Sequence, residues 1–342
     1  MITLLLSALS FLASWRLTTW LLHRAERLSL VQTPTLRSSH VQPTPNGGGL
    51  GIVIASTVAG VWLAWGQSQA LLVAIALAVP LALVGLLDDI RHLSARVRLG
   101  VQVAVCTGLL IALGTVPEII VGNVVLGGLA LSGLLLLVGV WWINLFNFMD
   151  GIDGIAGAQA VFMLLAGAAL TAWGNPDAMA SPLWVLMLCI VAATVGFLLM
   201  NWPPAKIFMG DTGSTWLGFM IFALALLTVQ SGWLNYAVWL VLGAVFVTDA
   251  TITLLTRMAR GERWYEAHRS HVYQSLSRRW QGDRKVGHRS VILLVAAING
   301  LWLAPLAWAC MQWPAGSEAF VVAAYFPLVF AALRLGAGRT EQ

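Results

Sequence analysis

The sequence predicts an all-α polytopic membrane protein with about eleven transmembrane helices. Three observations carry this. Of 342 residues, 59% are hydrophobic and only 10% are charged, whereas a soluble domain carries about 25% charged residues. Apolar runs of bilayer-spanning length, roughly 20 residues, recur along the whole chain. The basic residues fall in alternate loops only.

The apolar segments run over 2–22, 47–65, 70–87, 99–116, 127–146, 155–173, 182–200, 214–230, 234–256, 290–312 and 318–335. The first, "MITLLLSALSFLASWRLTTWLLHR", has His23, Arg24 and Arg27 after its apolar stretch. A secretory signal has its positive charges before it, so this is expected to be a retained span with its N-terminus outside. Between the fourth and fifth segments, "PEIIVGNVVLGG" pairs β-branched residues with Gly-Asn and predicts a short outer hairpin. Cys106, Cys189 and Cys310 lie inside apolar runs without any short spacing, so they read as packing residues, outside disulfides and metal sites.

Orientation follows from the cations. Counted from an outside N-terminus, Arg24, Arg27 and Arg37 fall in the first loop and Arg91, Arg96 and Arg98 in the third. Lys206 falls in the seventh, Arg257 through Arg289 in the ninth, and Arg334 and Arg339 at the C-terminus. The opposite loops have no Lys or Arg, and Arg16 snorkels from the inner end of the first span. This is the positive-inside pattern, with the N-terminus periplasmic and the C-terminus cytoplasmic. The chain reads as one transmembrane catalytic domain, with cytoplasmic loops at about 23–46, 88–98, 144–154, 201–213 and 257–289. The net charge of +5 serves topology or the binding of anionic substrates and lipid headgroups. It calls for no nucleic-acid partner.

The unusual polar groups all fall on this basic side. In "LVGLLDDIRHLSARVRLG", Asp88 and Asp89 adjoin at the end of the third span. Like charges there repel and resist desolvation, unless a divalent cation, Arg91 or water relieves them. In "NLFNFMDGIDGIAG", Asp150 and Asp153 share a face if helical, Asn144 and Asn147 precede them, and glycines permit close backbone approach. A helix N-terminus favouring acids would also explain the pair. In "NWPPAKIFMGDTGSTWLGF", two prolines break the chain after Asn201, Lys206 follows, and Asp211 leads into the eighth span. Asp211 is either an N-cap or a metal ligand beside phosphate-binding N–H groups. The ninth loop holds His268, Arg269 and His271. His-x-x-His alone is a weak zinc signal, and phosphate binding or a basic surface helix suits the loop better. "RSSHVQPTPNGGG" places Arg37 and His40 before a glycine turn.

Together these residues suit Mg²⁺, with Mn²⁺ an alternative, held by one or two carboxylates plus substrate phosphates. Such a site predicts phosphoryl transfer between a lipid phosphate and a soluble phosphate-bearing substrate.

The stretches "LLDDIRHLSARVRL", "NFMDGIDGIAG", "NWPPAKIFMGDTGS" and "HRSHVYQ", in this order, resemble the polyprenyl-phosphate sugar-1-phosphate transferases (glycosyltransferase family 4). "RSSHVQPTPNGGG" is similar to members that initiate O-antigen or related polysaccharide synthesis. The resemblance implies a bacterial inner-membrane enzyme, Mg²⁺-dependent, with its site on the cytoplasmic face. It would transfer an N-acetylhexosamine 1-phosphate from a UDP-sugar to undecaprenyl phosphate and release UMP; a homodimer is compatible with it. Carried over, Asp211 and Asp88 would hold metal, and Asp88, Asp89 and Asp211 would be catalytic. Asn201, Asp150 and Asp153 would shape the uridine-diphosphate site, and His268 and His271 would contact phosphates. Asn144, Asn147, Lys206, Arg269, Arg37 and His40 join the substrate-binding set. Asp249 resembles an acid of the polysaccharide-initiating branch, either supporting the site or capping. His268-Arg269-Ser270-His271 departs from the three-histidine run of the phospho-muramoyl-pentapeptide branch, and Tyr273 and Gln274 stand where the GlcNAc-1-phosphate branch usually has a histidine pair.

A lipid phosphate monoester, with its second pKa near 6, is already mostly dianionic at neutral pH. Direct attack on the β-phosphorus, with Asp88 or Asp89 orienting the phosphate, is therefore expected over a covalent phospho-enzyme. A secondary transporter of an anionic substrate is the alternative class. Transporter sites lie near the midplane between internal repeats, and this chain shows neither.

Overall fold

The computed structural model describes residues 1–32, 43–91, 93–262, 268–281 and 287–339. Arg37 and His40 lie outside the described residues. The chain opens with α1 (Ile2–Arg24), a two-residue ladder of β1 (Val31–Gln32) and β2 (Thr44–Pro45), then α2 (Gly49–Ala64), α3 (Gln69–Arg91) and α4 (Ala95–Leu113). An antiparallel hairpin follows, β3 (Ile119–Val121) and β4 (Val124–Leu126), with Val121 opposite Val124. This is the hairpin expected from "PEIIVGNVVLGG". Next come α5 (Gly128–Phe148), α6 (Ile155–Gly174), α7 (Pro182–Asn201), α8 (Gly210–Gln230), α9 (Tyr236–Leu242) and α10 (Ala244–Ala259). The chain ends with α11 (Val272–Gln281), α12 (Gly287–Ile298), α13 (Ala304–Gln312) and α14 (Ser317–Arg334).

Among the described residues, nine helices are long and apolar enough to cross a bilayer, or ten if the bent pair α9 and α10 counts as one span. The protein is therefore an all-α polytopic membrane protein. All eleven expected segments are helical, but two differ from simple spans. The 16-residue α2 reaches only about 24 Å at 1.5 Å per residue, short of the ~30 Å hydrocarbon core. The expected span 234–256 is broken, bending by 71° between α9 and α10. The break releases the carbonyl of Leu242, which accepts a hydrogen bond from Gln159 Nε2 at 3.0 Å, while Asn299 Nδ2 donates to Gln159 Oε1 at 2.7 Å. Irregular backbone at membrane depth needs internal partners of this kind. Asn299 itself opens a π-helical turn, Asn299–Leu303, that joins α12 to α13 just before Pro305, which has no N–H to donate.

α8 is the buried centre: 94% of its apolar window lies inside the protein, against 11% for α14. It packs against α3, α5 and α2. Small residues allow this, as they do between helices in lipid. A Cβ on Gly85 of α3 would sit 2.7 Å from the backbone of Asp211. That contact sets the end of α3, with Asp88 and Asp89, against the first turn of α8.

Gly85→Ala is therefore expected to push α3 away from α8 at a cost of roughly 1–3 kcal/mol. The check is the thermal midpoint of the purified protein in detergent; an unchanged midpoint would show that the two backbones are not in contact.

Candidate active site

The polar site is built around the N-terminus of α8, where the first backbone N–H groups have no helical acceptor. Asp89 supplies one. Its Oδ1 accepts from the N–H of Asp211 at 2.9 Å and from Asn46 Nδ2 at 3.0 Å. Its Oδ2 accepts from the N–H of Thr212 at 3.2 Å and from Thr212 Oγ1 at 2.7 Å. Gly210 makes the entry turn at φ +76°, where a Cβ would lie 2.6 Å from Asp89 Oδ2. Asp89 thus fixes the residue that precedes Thr212, which is Asp211.

Asp211 and Asp88 meet on one cation. Arg98 Nη1, from the first turn of α4, lies 2.7 Å from Asp88 Oδ2 and 3.1 Å from Asp211 Oδ2. Asp88 Oδ1 also accepts the N–H of Leu93. Asn147 Nδ2 donates to Asp211 Oδ1 and to Ser214 Oγ, each at 2.9 Å. Asp150, in the turn between α5 and α6, accepts no hydrogen bond among the described residues. Burial, followed by the charges of Asp211, Asp89 and Asp153, pushes its carboxyl well above the usual carboxylate range. Neighbouring carboxylates disfavour one another's ionisation, and a cation placed among them, as Arg98 is, relieves this. No group of three or more His, Cys, Asp or Glu ligands is found among the described residues. Two converging carboxylates and a further acid nearby fit a cation that completes its shell with substrate phosphates and water.

Other expected site residues act inside the framework. Asn144 Nδ2 donates to Gln102 Oε1 and to Val140 O, both at 2.7 Å, joining α5 to α4. Asn201 is buried; its Oδ1 accepts the N–H of Gly154 and its Nδ2 donates to Ile207 O, each at 2.9 Å. Asp153 Oδ2 accepts the N–H of Ala205 at 3.0 Å and lies 3.1 Å from His288 Nδ1 at the start of α12. Lys206 and Arg269 are exposed.

The histidines form a second group. His271 is buried, with Nδ1 3.2 Å from Asp249 Oδ1. It stacks on the half-buried ring of His268, with centroids 4.9 Å apart. Burial, then the neighbouring His271 and Arg257, lowers the His268 pKa to about 3. The two groups are linked by Tyr273, whose hydroxyl donates to Phe148 O at 2.9 Å.

Arg98, Asn46 and His288 were not expected in the site. Arg98 counts among the topology-setting cations in the sequence, and although it lies in "LLDDIRHLSARVRL", nothing local separates it from Arg91 and Arg96. Asn46 lies within "RSSHVQPTPNGGG", where Arg37, His40 and the glycines drew the reading instead.

The fold and site define a polytopic membrane protein with an acid cluster at one end of its helix bundle. Residues 71–229 match the model of glycosyl transferase family 4. A Bacillus subtilis (strain 168) protein named as a probable undecaprenyl-phosphate N-acetylglucosaminyl 1-phosphate transferase is 31% identical over 284 residues, covering 80% of this chain and 76% of that protein. The decaprenyl-phosphate N-acetylglucosaminephosphotransferase of Mycobacterium leprae (strain TN) is 26% identical over 306 residues, 79% of this chain and 74% of that one. A phospho-N-acetylmuramoyl-pentapeptide-transferase of Mycolicibacterium gilvum (strain PYR-GCK) is 32% identical over 266 residues, 63% and 71% of the two chains. The chain belongs to glycosyl transferase family 4, and the transporter alternative finds no support in these relatives.

In a titration of ¹⁵N-labelled histidine from pH 8 to 5, His268 is expected to remain neutral. The unfolded chain takes up this proton near pH 6.5. The stability held by the neutral ring is thus present above pH 6.5 and is lost as pH falls toward 3. A His268 midpoint near 6.5 would show a solvated ring instead of a packed one.

Proposed function

We propose that this protein transfers an N-acetylhexosamine 1-phosphate from a UDP-sugar to undecaprenyl phosphate and releases UMP. The step initiates lipid-linked O-antigen or a related cell-surface polysaccharide, at the cytoplasmic face of the bacterial inner membrane. The observation that carries the reading is the convergence of Asp88 and Asp211 on Arg98 Nη1, at 2.7 and 3.1 Å, beside Asp150. The relatives' names support the same class of donor and acceptor.

Asp211 and Asp88 would hold Mg²⁺, with Mn²⁺ an alternative; when bound, the ion neutralises charge on the transferring phosphates. The lipid phosphate, mostly dianionic at neutral pH, forms a bond to the β-phosphorus of the donor. The bond from that phosphorus to the bridging oxygen breaks, and UMP leaves with the oxygen. One pyrophosphate linkage replaces another, so no strong general base is required. Asp89 gives its two oxygens to four donors. It therefore positions α8, and a nucleophilic role would need one of its oxygens to give up both of its donors. Asp88 is better placed to orient the acceptor. Arg98 offers a guanidinium to phosphate oxygens once its carboxylate partners take another cation. Among the N-acetylhexosamines, the sequence His268-Arg269-Ser270-His271 supports a donor other than the muramoyl-pentapeptide.

The test is UMP release from purified protein with undecaprenyl phosphate, Mg²⁺ and a panel of UDP-sugars. One N-acetylhexosamine donor is expected to react; no UMP from any sugar, in protein shown to be folded, would overturn the reading. Chelation should stop turnover and added Mg²⁺ restore it. Asp211→Asn is expected to lower turnover by at least about 100-fold, and a near-native rate would remove Asp211 from the metal site. Capture of a phosphosugar on the enzyme without acceptor would replace direct attack by a covalent route.

A further inference from the structure

Asp249, on α10, is buried and holds four donors. Its Oδ1 lies 3.2 Å from His271 Nδ1 and accepts the N–H of Val272 at 3.0 Å and the hydroxyl of Thr253 at 3.2 Å. Its Oδ2 accepts the N–H of Tyr273 at 2.9 Å. The N–H groups of Val272 and Tyr273 open α11, so one carboxylate both caps that helix and grips the histidine before it. A carboxylate accepts hydrogen bonds, so the hydrogen of His271 sits on Nδ1 and its Nε2 is left as the other ring nitrogen.

The two histidines differ in exposure. The His271 side chain is 3% exposed, whereas His268 is only half-buried. The His271 ring lies between two aromatic contacts, 4.9 Å from the His268 centroid and 5.6 Å from that of Tyr273. His268 in turn pairs its Nδ1 with Ser270 Oγ at 3.0 Å, and Ser270 O accepts the N–H of Gly338 beyond α14 at 2.9 Å. The outer ring therefore rests on the inner one, and the inner one is fixed by Asp249. Tyr273 in turn donates its hydroxyl to Phe148 O, two residues before Asp150.

We infer that Asp249 is a positioning residue that locks His271 as an inner support, so that His268 alone of the pair is presented to the phosphates of the donor. This divides two residues that the sequence presents as equivalent. It rests on the transferase reading above for the identity of the ligand, but the Asp249–His271 link stands on geometry alone.

The experiment uses the full chain with ¹⁵N-labelled histidine, the His271 ring signals being identified by their loss in His271→Gln. The wild type is expected to show His271 protonated at Nδ1, and Asp249→Asn to shift that signal. Asp249→Asn and His271→Gln should each lower kcat by about 10–100-fold, with a smaller change in KM for the UDP-sugar. The double variant should be no worse than either single one. His268→Gln should instead raise the donor KM by roughly 10-fold or more. A merely capping Asp249 would lower the thermal midpoint yet leave the His271 signal and kcat of the folded protein as in the wild type, and that result overturns the inference, as would losses that multiply in the double variant. If Asp249→Asn does not fold, Thr253→Val removes one of the hydrogen bonds to Asp249 Oδ1 and should shift the same signal by less; an unmoved signal there overturns it. If no UDP-sugar is turned over by the wild type, the transferase reading falls, and the ring signal alone decides the Asp249–His271 link.

Discussion

The arrangement of the site depends on the carboxylate of Asp89 at the start of α8. Four donors converge on it, two of them the N–H groups of Asp211 and Thr212. A helix N-terminus favours negative charge by typically 0.3–1 kcal/mol at a surface and up to about 2 when partly buried. Hydrogen bonds to a charged group add about 1.5–3 kcal/mol each. α8 is also the most enclosed helix of the bundle, so whatever is tied to its first turn is tied to the core. The close approach at Gly85 and the turn at Gly210 make this anchorage sterically exacting. They also explain why a stretch that reads as a generic helix start carries Asp211 in a defined place.

Around that anchor the electrostatics are unbalanced in a productive way. Asp88 and Asp211 share Arg98, Asn147 donates to Asp211, and Asp150 accepts no hydrogen bond among the described residues. An acid cluster of this kind is costly in a poorly solvated region unless cations enter. Arg98 relieves two of the acids, while the Asp150 carboxyl is held well above the usual carboxylate range, first by burial. The same imbalance fits a family whose named relatives act on polyprenyl phosphates.

The histidine group is a separate unit with its own anchor. Asp249 does for α11 what Asp89 does for α8: a carboxylate from one helix receives the free N–H groups of another. Asp89 lies in the last turn of α3, whereas Asp249 lies inside α10. The hydroxyl of Tyr273 joins the two units across 125 residues of sequence.

The sequence by itself determined that this is a membrane protein, where its apolar segments lie, and that its candidate site acids, amides and histidines gather in loops of one charge class. Hydropathy and basic-residue counts are local quantities, and a bilayer converts them directly into spans. The hairpin of β3 and β4 was legible for the same reason, since a Gly-Asn pair between β-branched runs acts over few residues. The bend between α9 and α10 and the π turn at Asn299 were not legible, because both involve partners elsewhere, such as Gln159 for the freed carbonyl of Leu242. Within the site, the motifs pointed to Asp88, Asp89, Asn147, Asp150 and Asp211, and the resemblance implied metal, catalytic and substrate-binding roles for them without showing their contacts. Only the tertiary structure separated Asp89, Asn144 and Asn201, whose polar atoms are held by the framework, from Asp88 and Asp211, which share Arg98. A side chain's role depends on which donors reach it, and those donors come from helices up to 123 residues away.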